Sequence, residues 1–61
     1  MFNVSFIYRE RTVIGGGILQ YLPRIGEKII MNSKAYVIKD IIYELKGGTT
    51  SAVDVFVYVD G

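Results

Sequence analysis

Cysteine, histidine and tryptophan are absent from this sequence of 61 residues, and proline occurs only once. The lack of cysteine excludes a disulfide and a thiol nucleophile. Because histidine is absent as well, the chain lacks the ligands that most zinc and copper sites use and the commonest general base of enzymes. We therefore expect no metal, no cofactor and no catalytic residue.

The carboxylates make no stronger case for catalysis. Asp40 and Glu44 lie four residues apart in a predicted strand, which separates them by roughly 13 Å if the strand is straight. The carboxyl groups of a retaining glycosidase lie only about 5–5.5 Å apart, and a bulge between the two residues would leave them on opposite faces. A chain this short also has little depth for a pocket that excludes water. The sequence predicts that the protein is not an enzyme.

The charges are few and mixed, since seven Lys and Arg against six Asp and Glu give a net charge of +1. This balance argues neither for nor against nucleic acid as a partner. Residues 1–12 alternate between apolar and polar side chains and lack the basic and cleavage regions of a signal peptide. No apolar run approaches the length of a membrane span. The cytoplasm is the expected compartment.

Hydrophobic residues make up 51% of the chain, and β-branched and aromatic types far outnumber leucine and alanine. This balance is typical of strands. We predict one all-β domain over residues 1–61, folded as a small five-stranded barrel. The predicted strands are Phe2–Arg9, Ile18–Leu22, Glu27–Met31, Ala35–Leu45 and Ala52–Val59. Because a domain of this size is only marginally stable alone, we expect a homo-oligomer.

The last predicted strand separates two kinds of side chain by strict alternation. The four valines between residues 53 and 59 share one face, which is predicted to be core, and Phe56 and Tyr58 share the other. Ile7 is an isolated apolar residue on the outer face of the first strand. Since aromatic side chains anchor protein interfaces, Ile7, Phe56 and Tyr58 are the predicted partner-binding residues. Two alternatives stay open, because the rings could stack bases or be covered by a bent barrel.

The segment Ala35–Leu45 is too long and irregular for one flat strand. Apolar residues recur with period two in each half of it, but the two halves are out of phase. A β-bulge at Lys39-Asp40 would cause this change of phase and would let the strand bend around a barrel. The predicted core residues of the segment are Tyr36, Ile38, Ile41 and Tyr43.

Gly15, Gly16 and Gly17 interrupt the chain between apolar residues. Three successive glycines predict a hairpin tip or a mobile loop. The alternative is a ligand loop whose backbone N–H groups surround an anion, for instance in a nucleotide bound at a subunit boundary. A phosphate loop normally opens a helix, and no helix is predicted here.

Nucleic acid binding is the alternative function that the basic residues support. Arg9, Arg11 and Lys39 would come close to one another near the predicted bulge. Glu10, Asp40 and other acidic residues lie beside them in the sequence. This hypothesis requires the cations to cluster on one side of the domain.

Residues 22–29, LPRIGEKI, and the hairpin that follows resemble a pattern seen in SH3-like small barrels. In that pattern a turn of the form Pro–x–hydrophobic–Gly–acidic leads into a strand, and a hairpin follows, here with its turn at residues 32–34. The likeness covers about 24 residues and is frequent in short proteins of phages and other mobile elements. It implies an SH3-like fold and no catalytic residue, and the chain lacks the tryptophan and acidic loop of SH3 domains that bind proline-rich peptides.

The sequence therefore predicts a non-catalytic binding module. The resemblance implies an accessory protein of phage type, which would act in the host cytoplasm. It is expected to self-associate and to bind a protein partner through an exposed aromatic strand face. A nucleic-acid-binding barrel and a small-molecule or nucleotide binder are the alternatives.

Overall fold

The computed structural model describes residues 2–45 and 53–61, which form five strands in one sheet. The strands are β1 Phe2–Tyr8, β2 Thr12–Leu19, β3 Lys28–Met31, β4 Lys34–Glu44 and β5 Val53–Asp60. Their order across the sheet is β2-β1-β5-β4-β3, in which β1 and β5 run parallel and the other neighbours antiparallel. The sheet curls into a half-barrel, so the predicted all-β, five-stranded fold is confirmed. The loop predicted over residues 46–51 lies outside the described residues.

One side of the curled sheet forms the core. Val55, Val57 and Val59 of β5 are at most 2% exposed, and Val53 is half-buried against them. The valines therefore face inward, as their alternation predicts. The remaining buried residues are Val4, Phe6, Tyr36 and Ile38. We call this side the core face and the opposite side the outer face.

The β3–β4 and β1–β2 hairpins turn through pairs of residues with positive φ. Asn32 and Ser33 have φ of 53° and 63° and join Met31 to Lys34, which is the two-residue turn that matches the twist of paired strands. The turn predicted here is confirmed. The β1–β2 hairpin turns at Arg9 and Glu10, with φ of 52° and 63°, and not at the glycines.

The predicted bulge in β4 is confirmed. The pairing with β5 shifts between Ile38 and Asp40, so that Lys39 is the extra residue. Of the predicted core residues, Tyr36 and Ile38 are buried and Ile41 is half-buried against the core. Tyr43 is 51% exposed, so its prediction as core is wrong. The reason is that β3 pairs with only the first four residues of β4, which leaves the half-barrel open beside Tyr43.

The prediction of a loop at the glycines is wrong, because Gly15, Gly16 and Gly17 lie inside β2 and pair with β1. The second predicted strand, Ile18–Leu22, is wrong in its bounds: only its first two residues are in a strand, and they form the end of β2. Packing explains two of the glycines. A Cβ on Gly15 would lie 2.7 Å from the Met31 sulfur of β3, and one on Gly16 would lie 2.5 Å from the Val4 carbonyl oxygen. The two edge strands of the half-barrel thus approach each other at Gly15.

Candidate protein-binding face

The three residues predicted to bind a partner meet on the outer face. Ile7 of β1 lies directly opposite Tyr58 of β5, and Phe56 lies opposite Ile42 of β4. Directly opposite residues of antiparallel strands, such as Phe56 and Ile42, have Cβ atoms about 4.5–5.5 Å apart. Ile7, Phe56 and Tyr58 are half-buried by these neighbours, and none of them packs against the core.

Exposed aliphatic side chains widen this patch to four strands. Ile42 is 46% exposed beside Phe56, and Val13 of β2 is 66% exposed opposite Ile7. We call Val13, Ile7, Tyr58, Phe56 and Ile42 the apolar strip. Large exposed apolar patches are where protein interfaces form, so the apolar strip is the candidate binding surface of the outer face. Sequence reasoning missed Ile42. The change of phase at the bulge puts Ile41 and Tyr43 on one face of β4 and Ile42 on the other, so the pattern could have identified it.

One end of the outer face is acidic. Glu44 of β4 and Asp54 of β5 are direct cross-strand neighbours, an arrangement that is unfavourable for like charges. Asn3 of β1 partly offsets it, since its side-chain N–H donates to Asp54 Oδ1 at 3.0 Å. We call this the acidic end of the outer face.

A groove of about 320 Å³ lies at the other end, where the β1–β2 turn, the β4 bulge and the end of β5 meet. Its lining residues are Arg9, Glu10, Lys39, Asp40, Tyr58, Val59 and Asp60. Tyr58 therefore belongs to both the apolar strip and the groove. Arg9 Nε lies 3.6 Å from Asp60 Oδ1, and both side chains are largely exposed, so that this ion pair contributes little to stability.

The predicted nucleic-acid residues are brought together only in part. Arg9 and Lys39 line the same groove, whereas Arg11 does not. Three carboxylates, of Glu10, Asp40 and Asp60, line the groove with these two cations. The groove is therefore not a basic patch of the kind that neutralises phosphates.

Two tyrosines on the core side of this end hold cations over their rings. The rings of Tyr8 and Tyr36 meet edge to face with centroids 5.6 Å apart. Lys34 Nζ lies 5.3 Å from the centre of Tyr8 and 5.5 Å from that of Tyr36, and the Arg9 guanidinium lies 5.2 Å from Tyr8. Such contacts are attractive. Sequence reasoning missed this cluster, because it depends on the pairing of β1 and β4 through β5.

The structure does not support a site at the two other candidate positions, which are the glycines of β2 and the carboxylates of β4. Gly15–Gly17 form a strand instead of a loop, so the predicted ring of N–H groups around an anion is not formed there. Asp40 and Glu44 share the outer face, because the extra residue of the bulge precedes Asp40 and does not lie between the two carboxylates. Within residues 2–45 and 53–61, no three acidic side chains come together as a metal-holding group.

Comparisons with known proteins assign neither a family nor a function to the chain. No family model, no curated protein sequence and no solved structure matches it. The described residues include no helix of the length and hydrophobicity that a membrane crossing requires.

Proposed function

We propose that this chain is a non-catalytic binding module that self-associates and contacts protein through its outer face. The observation that carries this proposal is the apolar strip, which crosses four strands and in which two side chains are exposed and three are half-buried. Its centre is formed by Ile7, Phe56 and Tyr58. The resemblance of residues 22–45 to short phage proteins supports a role as an accessory protein acting in the host cytoplasm.

Energetics favour a partner on this surface. Among the described residues only seven hydrophobic side chains are buried, and domains of this size have little stability in reserve. Burial of the exposed parts of the apolar strip gains about 25 cal/mol for each Å² of apolar surface removed from water. An ordinary interface needs roughly 800 Å² from each partner, with an apolar centre in which Tyr and Phe are enriched. The outer face has this composition, with charged residues at its two ends.

The test is the double substitution Phe56→Ala/Tyr58→Ala. Since neither ring contacts the core, the variant should keep its β-sheet circular dichroism and lose the dimer or the bound partner. Sedimentation velocity over a range of concentrations measures the loss. Tyr21→Ala is the matched control, because Tyr21 is 84% exposed and lies outside the strands. An oligomer that survives the double substitution would contradict the proposal, and so would one that Tyr21→Ala disrupts to the same extent.

Nucleic acid binding is the second candidate, and it is favoured by the placement of Arg9 and Lys39 in one groove beside the Tyr58 ring. A single-stranded nucleic acid would be bound by cations along its backbone and a ring under its bases. This candidate predicts binding that weakens steeply as salt rises. Fluorescence anisotropy with a labelled oligonucleotide, comparing the chain with Arg9→Ala/Lys39→Ala, separates it from the protein-binding proposal.

A further inference from the structure

We infer that the second half of β4 is a docking edge for an extended segment of a protein partner, which would pair with it as a further strand of the sheet. The segment has apolar side chains on the side that faces the half-barrel, and it has a lysine or arginine beside Glu44. This inference goes beyond the proposed function, because it concerns an edge of the sheet and not the apolar strip of the outer face.

One side of β4 changes from paired to unpaired at Ile38. β3 pairs with the first four residues of β4, and Ile38 extends the pairing by accepting from the Gly26 N–H and donating to the Glu27 carbonyl, each at 2.8 Å. Beyond Ile38 the described backbone of β4 pairs with β5 alone. We call residues 40–44, on the side away from β5, the open edge of β4. An unpaired stretch of this kind presents N–H and C=O groups with which another chain can pair.

The hydrogen bonds around Ile41 indicate which backbone groups face the open edge. The Ile41 N–H donates to the side chain of the preceding residue, Asp40 Oδ1, at 2.9 Å, which indicates that this N–H is directed away from β5. Alternate residues of an antiparallel strand direct their backbone groups to the same side, so the N–H and C=O of Tyr43 also face the open edge. Strand addition derives its affinity from main-chain groups of this kind.

The core side of the open edge is apolar and accessible. Tyr43 pairs with the buried Val55 and therefore points to the core face, yet it is 51% exposed, and Ile41 is only half-buried. An added strand would place every second side chain beside these two residues, and contacts of alternate side chains give strand addition its specificity. The inward positions of the partner should therefore be apolar. The unpaired edge of β2 offers no such side-chain contacts along residues 15–17, which are glycines.

The outer side of the open edge is acidic. Glu44 lies directly opposite Asp54 of β5, and within residues 2–45 and 53–61 neither carboxylate forms an ion pair. Asp40 lies at the other end of the edge, where Lys39 lines the groove with it. A cation of the partner beside Glu44 would offset the unfavourable pair of like charges. A second copy of β4 would instead bring further carboxylates to this edge, so the inferred occupant is a segment of a different protein.

The first test is an NMR titration of the isotopically labelled chain with the acetylated and amidated peptide Val-Lys-Val-Lys-Val. The backbone amide signals of residues 40–44 should shift most, because the peptide pairs with them. The same peptide with an N-methyl group on its central valine should bind at least about tenfold more weakly, since that nitrogen can no longer donate to the open edge. An absence of binding at millimolar peptide, unshifted signals of residues 40–44, or equal binding of the N-methylated peptide would overturn the inference.

A charge reversal tests the chemistry of the partner. Glu44→Lys should raise the Kd of the valine–lysine peptide about fivefold at low salt and should lower the Kd of Val-Glu-Val-Glu-Val. Both effects should shrink as salt rises. Glu10→Lys is the matched control, because Glu10 is an exposed carboxylate in the β1–β2 turn, outside the open edge. Equal effects of the two substitutions, or equal Kd values of the two peptides for the wild-type chain, would overturn the inference.

The failure of the inference differs from the failure of the proposed function. Phe56→Ala/Tyr58→Ala should bind the valine–lysine peptide as the wild-type chain does, because both rings lie on the outer face of β5 and not at the open edge. Loss of peptide binding in this variant would overturn the inference and leave the outer face as the contact. Signals of residues 40–44 that shift with the concentration of this variant, without peptide, would mean that a second copy occupies the edge, and this result would also overturn the inference.

Discussion

The two faces of β5 show how one strand serves two surfaces. On its core face, Val55, Val57 and Val59 are at most 2% exposed. On its outer face, Phe56 and Tyr58 are larger and yet only half-buried. Because the alternation of a strand is fixed by its backbone, the chain places its smaller side chains in the tightly curled interior and its larger ones where the sheet is open.

The difference teaches that size and hydrophobicity alone do not identify the core of a small barrel. A narrow interior has room for β-branched side chains from several strands, and a phenylalanine at each of these positions would overpack it. The aromatic rings on the outer face gain little from the fold itself. Under the proposed function, a partner covers the exposed parts of these rings.

The strongest test of this comparison uses two isoleucines of the same strand. Ile38→Ala removes a side chain that is 1% exposed and should cost about 2–5 kcal/mol of unfolding free energy, through lost burial and a residual cavity. Ile42→Ala changes a side chain that is 46% exposed and should cost less than about 1 kcal/mol in the monomer. Urea unfolding of dilute protein measures both, and similar costs for the two would contradict the division into faces.

Periodicity was sufficient to predict the division into faces. The alternation along β5 identified the inward valines, and the change of phase in residues 35–45 identified the bulge at Lys39. These features are local, because side-chain direction follows from the position along one strand. The candidate residues Ile7, Phe56 and Tyr58 were found in this way, and the structure places them on one face.

The sequence could not give the features that depend on pairing between distant strands. Nothing local indicates that β1 runs parallel to β5, or that a Cβ on Gly16 would strike the Val4 carbonyl oxygen. The turn at Arg9-Glu10 was also missed, because neither residue is typical of positive φ, whereas the glycine triplet is. The groove was missed for the same reason, since three separate segments form it.

The glycines of β2 add to the comparison of the two faces. The crowded glycine lies on the outer face, and the one with open space around it lies on the core face. Gly16 pairs with Ser5 of the outer face, yet its Cβ would lie 2.5 Å from a backbone oxygen, whereas Gly17 pairs with the buried Val4 and has open space around it. Gly16→Ala should therefore cost roughly 1–3 kcal/mol, because the backbone must shift. Gly17→Ala should be neutral or stabilise by up to about 1 kcal/mol. Thermal unfolding of both variants provides the measurement, and a costly Gly17→Ala would show that the space is filled.

The smallest expected effect concerns the turn where the outer face meets the groove. Glu10 has a φ of 63°, a conformation that costs an ordinary residue roughly 1–2 kcal/mol and that glycine adopts freely. Glu10→Gly should therefore raise the free energy of unfolding by about 1 kcal/mol, and Arg11→Gly, at a neighbouring position without positive φ, should not. Lower stability in Glu10→Gly would mean that the glutamate side chain contributes more to the turn than its strained backbone costs.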